Sequence, residues 1–339
     1  MTETSSRVLS CIQPTGDMHI GNYFGAVANW VRMQDQYNCL YGVVDLHTMT
    51  MPYKAENLRS QTESLIIDLL ACGIDPNKCT LFVQSLVPEH TELCWIFSCL
   101  ASFGDLTRMT QFKEKSKVID SSGGSDFISG GLFIYPVLQA ADILVYRADK
   151  VPVGRDQEQH LELAREIARN FNRAFGDYFP EPKPLFTKTH KIASTADPSS
   201  KMSKSLGDKH YIGLFEDEKS IRKKIKSAVT DSGFPLPDGE MSPGVRNLLR
   251  ILIACGADEA ASSFEADYHA GGIRYGDLKG VVADALVKLT NGLRERRAEI
   301  ASDRKAVWDI VHESSKNARA VAAETLRDVR EMAGLQRMM

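Results

Sequence analysis

The sequence contains no apolar run approaching the roughly 18 residues that a membrane-spanning helix needs, so a protein of that kind is excluded. Its first ten residues lack a basic segment followed by an apolar stretch, and no secretory signal is expected. Charge of one sign is missing as well: 41 Lys and Arg stand against 44 Asp and Glu, a formal net charge of -3. A generic nucleic-acid coater would be strongly basic, so any contact with nucleic acid has to use local basic patches. Paired cysteines are also missing. The seven cysteines (Cys11, Cys39, Cys72, Cys79, Cys94, Cys99 and Cys255) are odd in number and none form a Cys-x-x-Cys pair. Reduced thiols in the cytoplasm fit this better than a disulfide framework. His90 and Cys94 are four apart and can share a helix face near Cys99. Isolated helical cysteines are usually small core hydrophobes, however, so neither zinc nor another protein-held metal is expected. No internal repeat is visible.

What remains is an ordinary folded composition, 43% hydrophobic and 25% charged, on 339 residues, enough for one large or two moderate domains. The first half alternates between strand and helix. Residues 8–13, 39–45 and 79–85 read as strands, and 22–36, 55–72 and 88–102 as helices, with Gly73 closing the second and Pro88 opening the third. The Gly/Ser stretch 121–125 reads as a surface loop, and 131–146 as a mostly buried helix containing Pro136. Residues 150–154 read as a last short strand, 156–175 as a helix, and the proline-rich stretch 179–184 as a connector. Such alternation predicts a parallel sheet with helices on both faces, and a ligand crevice beyond the carboxyl ends of the strands. After Ser205 the character changes to helices at 218–229, 245–254, 259–267, 275–300 and 303–332. The expected fold is α/β: a Rossmann-like parallel-sheet catalytic domain over 1–206 and a smaller all-helical domain over 207–302. The last helix, about 303–339, would pack back on the first domain.

Two segments carry chemistry. The first strand runs into Gln13-Pro14-Thr15-Gly16-Asp17-Met18-His19-Ile20-Gly21-Asn22, a turn that leads into a helix. Backbone N–H groups at a helix start attract phosphate, His19 can donate to phosphate oxygens, and Gly21 leaves room for a flat adenine ring. The same turn also reads as an ordinary β-to-α connection with polar surface residues. The second segment, Lys201-Met202-Ser203-Lys204-Ser205, offers two lysines with hydroxyls between them, suited to a triphosphate tail. Taken alone, such a Lys/Ser run is usually just a solvated loop.

Together the two segments resemble the signatures, usually written HIGH and KMSKS, of the class I aminoacyl-tRNA synthetases. The resemblance covers nearly the whole chain. Four further stretches (21–26, 108–116, 151–157 and 224–232) resemble the bacterial tryptophanyl branch, in which Asn22 at the fourth signature position is usual. The resemblance implies activation of an amino acid by ATP, with Mg2+ carried on the phosphates, and transfer to the 3′ end of a tRNA. It assigns catalysis to His19, Asn22, Lys115, Lys201 and Lys204. Beside these, Gln13, Pro14, Thr15, Gly21, Gly154, Arg155, Asp156, Ile192, Met202, Ser203 and Ser205 would hold ATP. Tryptophan would lie among Leu9, Cys11, His47, Tyr135, Gln139, Asp142, Ile143, Val151, Val153 and Gln157. It further implies a homodimer and a helical domain that reads the anticodon. Some relatives carry an iron–sulfur cluster in that domain. Only Cys255 lies there in this chain, so none is expected.

Asp142 also stands out on physical grounds. It interrupts a largely apolar stretch, 135–146, and a buried carboxylate needs a donor. An indole N–H would serve, and such a site rejects side chains that lack it. The alternative partner is a local one such as Arg147. Gln139 departs from the bacterial pattern and, three residues before Asp142, resembles a tyrosyl enzyme. Leu9 and Cys11 depart too, which implies a differently shaped pocket floor. His47 caps the amino-acid pocket or packs under a loop. The basic run 219–226 reads as a solvated helix face or a phosphate contact. A tyrosyl enzyme, a small-molecule adenylyltransferase and a silent RNA-binding paralogue remain as other readings.

Overall fold

The computed structural model describes residues 6–110, 129–152, 154, 158–186, 190–231 and 240–336. The loop expected at 121–125 lies outside them. Five strands, β1 (Arg7–Ile12), β2 (Asn38–Val43), β3 (Thr80–Val83), β4 (Lys150–Pro152) and β5 (Lys183–Leu185), form one parallel sheet in the order β3-β2-β1-β4-β5. The order reverses between β1 and β4, so the crevice for ligands opens at the end of β1. The stretch expected to be a connector at 179–184 instead runs into β5. Its prolines are tolerated because the strand lies at the sheet edge, with Lys183 N–H donating to Asp149 C=O at 2.8 Å.

Alternation along the strands divides the core. Val8, Cys39, Tyr41, Val43, Leu81 and Val83 face one cluster; Leu9, Leu40, Phe82 and Val151 face the other. The first cluster takes α1 (Ile20–Asn22), which continues through a π-helical turn (Tyr23–Val27) into α2 (Ala28–Met33), and α4 (Ala55–Ala71). A short α3 (Asp45–Thr48) precedes α4. The second cluster takes α5 (Glu89–Ser98), α6 (Phe103–Arg108), α7 (Gly130–Leu144) and α8 (Glu158–Phe175). The helix expected over 88–102 thus breaks after Ser98, and Ser102 caps a new one by accepting from Asp105 N–H. The rest is helical: α9 (Glu218–Ser227), α10 (Pro243–Ala254), α11 (Asp258–His269), α12 (Tyr275–Ala301) and α13 (Arg304–Met332).

The long α13 returns to the sheet and straddles its β3 edge. Val307 and Val311 enter the first cluster, and Ala318, Ala322, Leu326 and Val329 enter the second. Between them, Ser314 Oγ accepts from Leu81 N–H at 2.9 Å and Ser315 Oγ accepts from Val83 N–H at 3.3 Å. These are the N–H groups that β2 cannot reach, so two serines satisfy an otherwise bare sheet edge. Replacing Ser314 or Ser315 with Ala strands a buried N–H and should lower stability by about 1–3 kcal/mol in urea titrations. Ser302→Ala, at an exposed hydroxyl, should change it by less than about 0.5 kcal/mol.

Candidate active site

The turn after β1 is built around two glycines. Gly16 sits at φ +93°, a conformation that disfavours any side chain, and a Cβ there would lie 3.2 Å from Lys204 Nζ. At Gly21 a Cβ would approach the His19 ring to 3.0 Å and Met202 Cβ to 3.3 Å, so the close approach of the two segments requires glycine. His19 is the N-cap of α1. Its Nδ1 accepts from Asn22 N–H at 3.2 Å, and Asn22 Oδ1 accepts from His19 N–H at 3.2 Å. This reciprocal box gives Asn22 a local structural role. It also fixes the tautomer: with Nδ1 accepting, the neutral ring carries its proton on Nε2. Burial, then the charges of Lys204 and Lys201, push the imidazole down to about 4. His19 is therefore a neutral N–H donor at physiological pH.

A backbone ladder brings the second segment to the first. Ile20 N–H donates to Ile212 C=O at 3.0 Å, and Leu214 N–H donates to Met18 C=O at 2.8 Å. On the other side of the lysine loop, Ala193 bridges Lys201, and Asn247 of α10 holds Ala193 through both N–H (2.8 Å) and C=O (3.1 Å). Lys204 Nζ then donates to the carbonyls of Thr15 (3.0 Å) and Asp17 (2.8 Å). A cleft of about 340 Å³ lies between the segments, lined by Gln13, Thr15, Gly16, His19, Asn22, Ser203, Lys204 and Ser205. Its donors suit a polyphosphate.

On the opposite face of the sheet, α7 presents Asp142, 2% exposed. Oδ1 accepts from Gln84 Nε2 at 2.7 Å and from His90 Nδ1 at 2.7 Å, and Oδ2 pairs with His47 Nε2 at 2.7 Å. His90 Nε2 meets Tyr146 Oη at 2.8 Å. Burial alone would raise the carboxyl, but the two histidines more than offset it and hold it well below the usual carboxylate range. A carboxylate offers about four lone-pair sites. Three are occupied, which leaves one lone pair on Oδ2.

The family described as "tRNA synthetases class I (W and Y)" matches residues 1–291. The chain is 47% identical to "Tryptophan--tRNA ligase 2" of Streptomyces avermitilis, over 98% of each. It is also 47% identical to "Tryptophan--tRNA ligase" of Corynebacterium glutamicum, over 98% of this chain and 95% of that one. The fold matches the crystal structure of tryptophanyl-tRNA synthetase from Mycoplasma pneumoniae with a TM-score of 0.86 at 33% identity, over 98% of each. It matches that from Campylobacter jejuni complexed with ADP and tryptophan with a TM-score of 0.81 at 34% identity, over 97% of this chain and 100% of that one. The chain belongs to the class I tRNA synthetases for tryptophan and tyrosine.

Within this synthetase, seven of the residues singled out for ATP line one cleft: Gln13, Thr15, His19, Asn22, Ser203, Lys204 and Ser205. Pro14 is buried in the turn, and Ile192 and Met202 are core residues beneath it. The Lys201 side chain is exposed and outside the cleft lining, as is Gly154. Lys115, Val153, Arg155, Asp156 and Gln157 lie outside the described residues. Of the residues assigned to the amino acid, Leu9, Ile143 and Val151 are buried on the Asp142 face of the sheet. Cys11 joins them, its thiol pushed up by burial and by Asp142. Tyr135 Oη pairs with His160 at 3.1 Å, and Gln139 is half-buried one turn before Asp142. Arg147 is not the partner of Asp142; its guanidinium covers the Tyr178 ring at 4.8 Å.

Sequence reasoning missed Gln84, His90 and Tyr146 as the surroundings of Asp142. His90, considered for a metal, has both ring nitrogens engaged instead. It also missed a clamp under the turn. Buried Asp68 accepts from Met18 N–H and from Arg297 Nε at 2.6 Å, while Arg297 lies over Phe215 at 5.0 Å. The basic run 219–226 is partly spent internally: Lys224 is buried between Asp208 (2.7 Å) and Glu216 (2.6 Å), and Arg222 pairs with Glu218 and Asp284.

The lowered His19 pKa is a stability statement. A depressed folded value means protons bind the unfolded chain more readily, so stability falls as pH drops from about 6.5 through about 4. Urea titrations at pH 7 and pH 4 should find this enzyme losing roughly 3 kcal/mol more than His19→Asn, which keeps a capping acceptor without titrating. Equal losses would contradict a neutral buried imidazole.

Proposed function

We propose that this synthetase is a cytoplasmic tryptophan–tRNA ligase. The observation that carries the proposal is the cleft in which neutral His19 and cationic Lys204 face each other across space for a triphosphate. ATP, with Mg2+ on its phosphates, enters there. Lys204 exchanges the carbonyls of Thr15 and Asp17 for phosphate oxygens, and His19 donates its Nε2 proton to another. The tryptophan carboxylate attacks the α-phosphate, pyrophosphate leaves in line, and a tryptophanyl-adenylate remains. A tRNA 3′ hydroxyl then takes the tryptophanyl group and AMP departs. No protein nucleophile is needed; positioning and charge stabilisation carry the rate.

Asp142 selects the amino acid. With three protein donors in place, its remaining lone pair takes the indole N–H, and an amino acid without that donor leaves it unmatched. Gln139 favours the tyrosyl reading only by its spacing, whereas both curated relatives at 47% identity are tryptophan ligases. Residues 1–206, joined by α13, form the catalytic domain, and 207–302 form the helical domain that reads the anticodon. The enzyme works as a homodimer. Trp95 and Phe103, 70% and 73% exposed, are large apolar side chains that a second copy could cover. Among the described residues no helix is long and apolar enough to cross a membrane, and no cluster of His, Cys, Asp and Glu is arranged for a metal.

Pyrophosphate exchange into ATP should proceed with tryptophan and not with tyrosine. Asp142→Asn should lower kcat/KM for tryptophan roughly 10- to 150-fold, the worth of a hydrogen bond to a charged group. Exchange driven by tyrosine would refute the assignment, and exchange with neither amino acid would point to a silent paralogue.

A further inference from the structure

Tyr146 follows Asp142 by one helical turn, just past the end of α7, and is fully buried. The chain leaves the helix there. Arg147 takes φ +48°, a left-handed conformation that costs a non-glycine residue energy. Arg147 N–H donates to Leu144 C=O at 2.9 Å and Ala148 N–H to Ile143 C=O at 3.3 Å, which fixes the backbone on both sides of Tyr146. The phenol plays no part in the chemistry described above, yet it is aimed at His90 of α5, with Oη 2.8 Å from Nε2. Burial, then the neighbouring Cys11, Asp142 and Glu89, push its ionisation up, so it keeps its proton. With the phenol O–H donating to Nε2, the ring carries its proton on Nδ1, where it meets Asp142 Oδ1 at 2.7 Å.

The rest of the His90 environment sets the plane of the ring. Phe82 of β3 stacks on it at 5.7 Å and 21°, and Gly42 of β2 makes room for Phe82, since a Cβ there would lie 2.8 Å from Phe82 Cζ. A half-turn of the imidazole would keep this stack but put a carbon against Asp142 Oδ1. The Tyr146 hydroxyl, at the far nitrogen, opposes that half-turn. Oδ1 then holds two donors, His90 and Gln84, and the otherwise soft carboxylate torsion is fixed. The direction of the lone pair left on Oδ2 is fixed with it. Resting on the reading of Asp142 as the indole acceptor, we propose that Tyr146 is a positioning residue for amino-acid selection: through His90 it aims the carboxylate at the indole N–H. Of the row Tyr146, His90 and Asp142, only Asp142 touches the substrate. The indole N–H is remote from the reacting carboxylate, so this contact is the same in the ground and transition states and its loss appears in KM. An amino acid with sulfur in place of the N–H gains nothing from the aim.

The test measures pyrophosphate exchange with tryptophan on the full-length enzyme, and its inhibition by benzothienylalanine, the sulfur analogue. Tyr146→Phe should raise KM for tryptophan roughly 2- to 12-fold, the worth of one hydrogen bond, with a much smaller change in kcat. The inhibition constant of the analogue should stay where it is. An equal rise for both ligands would mean a general loosening of the pocket and overturn the proposal, as would no rise for either. His90→Asn keeps a donor at the place of Nδ1 but offers nothing to Tyr146. Adding Tyr146→Phe to it should leave KM for tryptophan unchanged, and a further rise would show that Tyr146 does not act through His90. This pair strands no ring nitrogen, so it decides the matter even where Tyr146→Phe alone fails to fold. Asp142→Asn should narrow the gap between tryptophan and the analogue. An unchanged gap there would strike the reading of Asp142 itself, whereas a narrowed gap with Tyr146→Phe silent would strike this inference alone.

Discussion

Two backbone hydrogen bonds, Ile20 N–H to Ile212 C=O and Leu214 N–H to Met18 C=O, set the distance between the segments on which this site depends. The turn after β1 and the lysine loop are far apart in the chain, and neither makes a polyphosphate site alone. The ladder holds them a fixed space apart, Gly21 lets Met202 and the His19 ring close in, and Asn247 anchors the far side of the loop to the helical half. Asp68 ties Met18 to Arg297 of α12, so the turn is held from below by the same helical half that carries the loop. His19 is thus placed by backbone and neighbouring side chains, while Lys204 Nζ rests on the Thr15 and Asp17 carbonyls.

The two ionisable groups that matter most are tuned in opposite ways by similar burial. His19 is buried beside lysines, which keeps it neutral and makes it a donor. Asp142 is buried beside histidines and an amide, which keeps it ionised and makes it an acceptor. An ionised carboxylate in an apolar helix would be costly without partners. Gln84, His90 and His47 remove most of that cost, and Tyr146 holds His90 in turn.

Much of this was legible in the sequence where the determinants are local. Strands β1 to β4 follow from short apolar runs, and the helices beyond Ser205 follow from periodic apolar residues, because each element buries its own face. β5 was hidden by Pro184 and by Pro180 and Pro182 just before it, since proline normally argues against a strand and is acceptable at an edge. The start of α1 was hidden because His is an unusual N-cap. The two signature segments that pointed to the family were legible because each is contiguous. The partners were not: His90 and Gln84 lie 52 and 58 positions from Asp142, and Arg297 lies 229 from Asp68. The sequence establishes that buried Asp142 needs donors, but which ones reach it is decided by packing across the sheet.

The most direct measurement is a crystal structure with tryptophan and a non-hydrolysable ATP analogue bound together. The account predicts the triphosphate between His19 Nε2 and Lys204 Nζ, with Lys204 released from the Thr15 and Asp17 carbonyls and the indole nitrogen on Asp142 Oδ2. A triphosphate bound elsewhere, with Lys204 still on those two carbonyls, would contradict it.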